Sequence, residues 1–285
     1  MNPALNKPID TGYQRPRDPA EIWLARQWQG VLGFSVGIRE NFFGVGGNSL
    51  DAARVIDAVM VEFGVQLPLN ALTEHPTVER LATLLRDYAE PLHGPLVAIQ
   101  DGDGTRPPLF LVHPDHGQVG PYCGLAHTLG EEFAVFGIQA VGLYSDAEPR
   151  RTVPAMAAAY VDTVRAVRPA GPYLLGGCAI GAAIAYEMAA LLDDVRLLAA
   201  IDAELVEPPH TGTESWLQEP EFVARSLRVR QANQEAARHW QPPPYTGPVH
   251  LFGPPSASLL PTATHRIHQC STSQHLTDAL RELLG

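Results

Sequence analysis

One stretch limits the possible folds of this chain more than any other: Tyr173–Ala189, YLLGGCAIGAAIAYEMA. It opens with a short apolar run of strand character, passes two glycines and a cysteine, and continues into small and apolar residues over a helical length. A strand that turns directly into a helix leaves no room for side chains where the two backbones approach, so glycine is needed at the junction. Read with Gly176 and Gly181 as the flanking glycines, the stretch is a nucleophile elbow with Cys178 where serine is usual. A buried structural cysteine is the ordinary alternative, because free cysteine is among the most buried residue types. The agreement of strand, turn and helix favours the elbow.

The surroundings repeat the alternation. Short apolar runs at 95–99, 108–113, 134–139, 173–177, 197–202, 249–253 and 264–270 are separated by helical stretches, a pattern that predicts a mostly parallel sheet covered by helices on both faces. The first 90 residues read differently. Residues 20–32 carry a helical apolar stripe that ends at Gly33, and FFGVGGNSL leads into a second stripe over 49–63. LPLNALTEHPTVERLATLLRDY supplies a short helix and then a final one. At 285 residues with 45% hydrophobic content, the chain has room for both units. The break falls at 91–94, expected to be a linker, and the second domain runs over 95–285.

A net charge of -11 without any Lys or Arg block excludes a phosphate backbone as partner, so nucleic acid is not expected. Cys123, Cys178 and Cys270 form neither an even disulfide framework nor a CxxC zinc spacing. No run of about 18 apolar residues and no apolar signal core is present. A cytoplasmic protein with no membrane partner and no metal is expected.

Ser49 stands behind two glycines at a predicted helix start, where a serine is ordinarily a cap. With the phenylalanines before it and EHPTVERLA after it, residues 15–90 resemble a peptidyl carrier protein, a small all-α four-helix domain. The resemblance implies that Ser49 is esterified with 4'-phosphopantetheine by a phosphopantetheinyl transferase. It also implies that residues 1–19 are a linker trailing upstream synthetase domains of the same polypeptide.

Residues 95–285 resemble a type I thioesterase of a nonribosomal peptide synthetase, an α/β-hydrolase. PPLFLVHPDHG resembles the strand and oxyanion loop of that family, which implies Asp115 and Ala179 as backbone N–H donors. It departs at His116, where glycine is the family's usual residue. LLAAID ends at Asp202, implied as the acid that orients a catalytic histidine. The tail THRIHQCSTSQHLTDALRELLG is too short to place that histidine by one count. His268 is favoured, His116 is the relocated alternative, and His275 and His265 follow.

The chemistry implied is transfer of a carrier-bound peptidyl group from the Ser49 arm to Cys178, assisted by a histidine, then release. An acyl-cysteine stays activated, and thioesterases with this substitution resemble those that close strained rings, which favours a β-lactam or β-lactone over hydrolysis to the free acid. The lid over about 206–245 is short, which implies a small product. Within it Arg225, Arg228 and Arg230 form a basic stretch that reads first as a solvated face. A non-catalytic carrier-docking module is the competing reading. A reductase is excluded by the absence of GxGxxG after a strand in the second domain.

Overall fold

The computed structural model of the chain describes residues 14–63, 67–68, 70–88, 95–145, 147–202, 205–206, 220–253 and 265–284. The expected linker at 91–94 and residues 1–13 of the N-terminal one lie outside these, as do 207–219 of the expected lid. The chain divides into two compact units, Met1–Leu92 and His93–Gly285.

The first unit is built from helices α1 (Pro19–Leu32), α2 (Ser49–Phe63), α3 (Ala71–Glu74) and α4 (Val78–Tyr88). α1 begins where the Asp18 carboxylate accepts from Glu21 N–H and ends where Gly33 adopts the left-handed conformation, φ 80°. Its apolar stripe buries Leu24 and Trp28 against Phe42, Leu72, Leu81 and Leu85. The Trp28 and Phe42 rings meet edge-on at 4.7 Å. Arg17, paired to Glu21 and at 3.0 Å to Glu79, ties the start of α1 to α4.

The second unit is a seven-stranded sheet of β1 (Leu96–Gln100), β2 (Leu109–Val112), β3 (Val135–Ile138), β4 (Tyr173–Cys178), β5 (Val195–Ile201), β6 (Val249–Phe252) and β7 (His265–His268). The order is β1-β3-β2-β4-β5-β6-β7. Among the described residues the β1–β3 pair is antiparallel and the other pairs are parallel. Helices α5 (Tyr122–Leu129), α6 (Val153–Val167), α7 (Ile180–Leu191), α8 (Pro220–His239) and α9 (Ser273–Leu284) complete it.

Strand β4 lies between β2 and β5, and all six of its residues are buried, as its unbroken apolar run predicts. Its side chains pack with Phe110, Val112, Met156, Ile184, Met188 and Leu198 in the main core. Parallel strands place their carboxyl ends along one edge of the sheet, so Cys178, Ile201, Phe252 and His268 end on one row, with Val112 one register step short of it, beside Gly177. The residues just beyond that row form the candidate site.

Candidate functional site

In the first unit, α2 begins at Ser49, but Asn48 performs the capping. Its Oδ1 accepts from Leu50 N at 2.9 Å and Asp51 N at 3.1 Å, and its carbonyl from Ala52 N. Ser49 is exposed, and its hydroxyl is not spent on the helix end. The turn before it is pinned from below. A Cβ on Gly47 would lie 2.4 Å from the Phe42 ring, so only glycine lets the turn rest on that buried side chain. An exposed, uncommitted hydroxyl on a firmly seated turn fits a phosphopantetheine attachment site.

In the second unit, the junction of β4 and α7 is an elbow, but its apex is not Cys178. The residue forced into the strained conformation is Ala179, at φ 51° and ψ -124°. The glycines that permit it stand two residues to either side. A Cβ on Gly177 would lie 2.5 Å from the Gly181 carbonyl carbon, and one on Gly181 would lie 2.5 Å from the Val112 oxygen. Gly176 is less confined, its nearest contacts being at 3.1 Å. The expected frame, with Gly176 and Gly181 around Cys178, is therefore corrected to Gly177 and Gly181 around Ala179. The physical reason is that Cys178 is the last residue of β4, paired with Ile201, while the chain reverses one residue later.

Cys178 is 2% exposed. Its sulfur lies 3.4 Å from the Tyr122 hydroxyl, whose oxygen also accepts from Cys178 N–H at 3.1 Å. Tyr122 has one proton to give, and the Val112 carbonyl takes it at 2.7 Å. Burial pushes the thiol up to about 11, reinforced by the Asp115 and Asp202 carboxylates. That is a resting thiol, the reverse of the activated cysteine the elbow reading expects.

The anion site is also different from the expectation. With Ala179 at the apex, the donor that follows it is Ile180 N–H, and this group donates to the Asp115 side chain at 3.2 Å. Asp115 was expected to contribute its backbone N–H; its exposed carboxylate instead sits on the N–H at the start of α7. Asn233 of α8 holds the Asp115 carbonyl at 2.9 Å.

Among the described residues, His268 and His116 are engaged elsewhere. His268 is the last residue of β7, not part of a loop beyond it. The row Cys178–Ile201–Phe252–His268 separates it from Cys178 by three strand spacings, about 14 Å. Its Nε2 meets His250 Nδ1 at 2.9 Å and its ring stacks on Phe252 at 4.7 Å. His116 Nδ1 accepts from Gln118 N–H at 3.2 Å, which leaves the proton on Nε2. Burial first, then His113 and Arg230, push His116 down to about 4. His275 is exposed beside Ser271, at 3.2 Å, and His265 opens β7 opposite Val249.

His113, which sequence reasoning did not single out, is fully buried. Its Nδ1 faces the Pro114 carbonyl and its Nε2 the Tyr160 hydroxyl, both at 2.9 Å, so it is a neutral anchor of the β2 end. Asp202 follows β5, with its N–H on the Phe252 carbonyl at 2.8 Å. Of the expected lid, α8 is described. Arg228 pairs there with Glu148 at 3.6 Å, both partners exposed, and Arg230 is also exposed. Among the described residues no cluster of metal-binding side chains occurs, and no helix is long and apolar enough to cross a membrane.

This geometry defines an α/β-hydrolase domain that follows a helical carrier. Residues 107–239 match the thioesterase domain family and residues 23–85 the phosphopantetheine attachment site family. The chain thus carries a phosphopantetheine attachment domain followed by a thioesterase domain homologous to those of nonribosomal peptide synthetases. It is 36% identical over 204 residues to malpibaldin synthetase of Mortierella alpina, covering 68% of this chain and 4% of that protein. It is 35% identical to a dimodular nonribosomal peptide synthase of Bacillus subtilis (strain 168), over 66% of this chain and 8% of that one. The chain spans less than a tenth of these relatives' lengths. Among solved structures, the NocB thioesterase domain bound covalently to a fluorophosphonate nocardicin G analogue is 27% identical. It aligns with 67% of this chain and 99% of its own, at a TM-score of 0.53.

Proposed function

We propose that this chain acts at the release end of a nonribosomal peptide assembly line, where Ser49 carries the cargo and the thioesterase domain receives it. The observation that carries this reading is the exposed Ser49 hydroxyl at the start of α2, left uncommitted because Asn48 caps the helix. Attached to Ser49, 4'-phosphopantetheine would supply a flexible thiol that carries an acyl group as a thioester. Gly47 and Phe42 hold the turn in place for a phosphopantetheinyl transferase, the partner this reading requires, and upstream synthetase domains would load the group.

Release as a ring, a β-lactam or β-lactone, is the reading we favour over hydrolysis, on the short segment available as a lid. The version in which Cys178 takes the acyl group is the weaker one, because its thiol is buried, protonated and far from His268. Incubation with coenzyme A and a transferase tests the carrier reading. The expected result is one phosphopantetheine mass gain in the parent and none in Ser49→Ala; equal gain in both overturns it. For release, a product lighter by one water than the free acid supports ring closure, and the acid itself supports hydrolysis.

A further inference from the structure

The elbow, the anion site and the histidines depart from the expected machinery in one direction. We propose that this thioesterase domain forms no acyl-enzyme, and that the acyl group stays on the Ser49-borne thiol until a nucleophile of the peptide itself, or water, displaces that thiol. The proposal rests on the reading of Ser49 above only for where the acyl group sits; its own basis is the geometry around Ala179.

An elbow serves catalysis because its apex residue is pushed out of both strand and helix, with its side chain the one group that neither backbone shields. Here the cage that creates the apex is intact, with Gly177 and Gly181 packed to within van der Waals limits of neighbouring backbone. At its centre Ala179 presents a methyl group. The adjacent sulfur does not substitute for it, because Cys178 ends β4 and its side chain is directed into the interior at Tyr122.

The second element is the N–H that follows the apex. Removal of one oxyanion donor from a hydrolase costs about 10²–10³ in rate. In this chain the donor is present but occupied, with the Asp115 carboxylate on Ile180 N–H at 3.2 Å. A developing oxyanion would have to displace a negative group from that place, and would then stand beside it.

The third element is the base, worth about 10²–10⁴ where it is present. His268 lies three strands away on His250, His116 presents its unprotonated nitrogen to Gln118, and His113 is locked between Pro114 and Tyr160. Any one substitution would weaken a thioesterase. Among the described residues, the three together remove acceptor, charge stabilisation and proton acceptor from the apex, while the scaffold that would hold them persists.

The test uses the full chain without its arm, so that it does not depend on Ser49. The protein is incubated with an acyl thioester of N-acetylcysteamine and, separately, with an aryl fluorophosphonate, then digested and mapped by mass. The expected result is no adduct on Cys178 and none on any serine of the thioesterase domain. Ala179→Cys, checked for native circular dichroism, is expected to be acylated at position 179 at least tenfold faster than Cys178 is in the parent, because the apex is more accessible than the end of β4 even without a base. An adduct on Cys178 of the parent overturns the proposal, and so does an Ala179→Cys variant that is labelled no faster than the parent. Failure of coenzyme A and transferase to modify Ser49 would instead remove the carrier reading and leave the labelling result standing.

Discussion

The turn before Ser49 and the turn at Ala179 are two solutions to one problem. Each uses glycines to bring a residue to the start of a helix and hold it there, the first resting on the Phe42 ring and the second wedged between Gly181 and the end of β2. In the first, the presented residue is an exposed hydroxyl and a neighbour does the capping. In the second, the presented residue is a methyl group and the nearest nucleophile is folded inward. The comparison shows that the geometry of presentation and the chemistry presented are separable: a backbone cage depends on glycines, whereas reactivity depends on one side chain that the cage does not specify.

The largest effect expected is on the carrier side, where Ser49→Ala should abolish phosphopantetheine attachment entirely, as read by intact mass. On the elbow side the thiol is the sharpest probe. With its value raised to about 11, the thiolate fraction of Cys178 at pH 7.4 is roughly 300-fold below that of a free thiol near 8.5. Alkylation of Cys178 should be slower than that of a small free thiol in solution by at least this factor and should climb with pH until about 11. A profile that levels near neutral pH would mean an activated cysteine and would erase the contrast between the two turns. The sign for stability follows: the native thiol holds its proton more tightly than the unfolded one. Its contribution is therefore full below the ordinary thiol value and is lost as pH rises towards about 11.

The cages themselves should differ in rigidity. Gly181→Ala drives a methyl into the Val112 and His113 carbonyl oxygens, and backbone there cannot yield, so the second unit should lose about 3 kcal/mol or more. Gly47→Ala meets the Phe42 side chain and no backbone, for a smaller loss of about 1–2 kcal/mol in the first unit. Denaturant titrations of the two variants, followed by probes in each unit, compare them directly; equal losses would refute the distinction. Smallest of all, Ala179→Gly should stabilise the second unit by about 1 kcal/mol, because glycine adopts a positive φ without strain. A loss on that substitution would show that the Ala179 methyl makes contacts outweighing the strain.

The order of elements could be read from periodicity alone. Each of the seven expected strands appears within two residues of its expected bounds, because short apolar runs between helical stretches have few other ways to be buried. The start of α2 at Ser49 was also legible, since glycines before a polar residue mark a helix start, whereas its role as an attachment site came only from the family resemblance. The elbow was legible in kind but not in frame. Three glycines, Gly176, Gly177 and Gly181, allow more than one reading, and attention to the cysteine selected the unequal spacing around Cys178 over the equal spacing of two around Ala179.

The residues of this sequence determined by themselves that a strand must break into a helix here, because only glycine permits that approach of backbones. Tertiary structure decided which residue stands at the apex, because this depends on where β4 stops pairing with β5. It alone could show the Asp115 carboxylate on Ile180 N–H, a contact between residues 65 positions apart. It also placed His268 within β7, three strands from Cys178, a distance that follows from strand order and register and that no count along the chain contains.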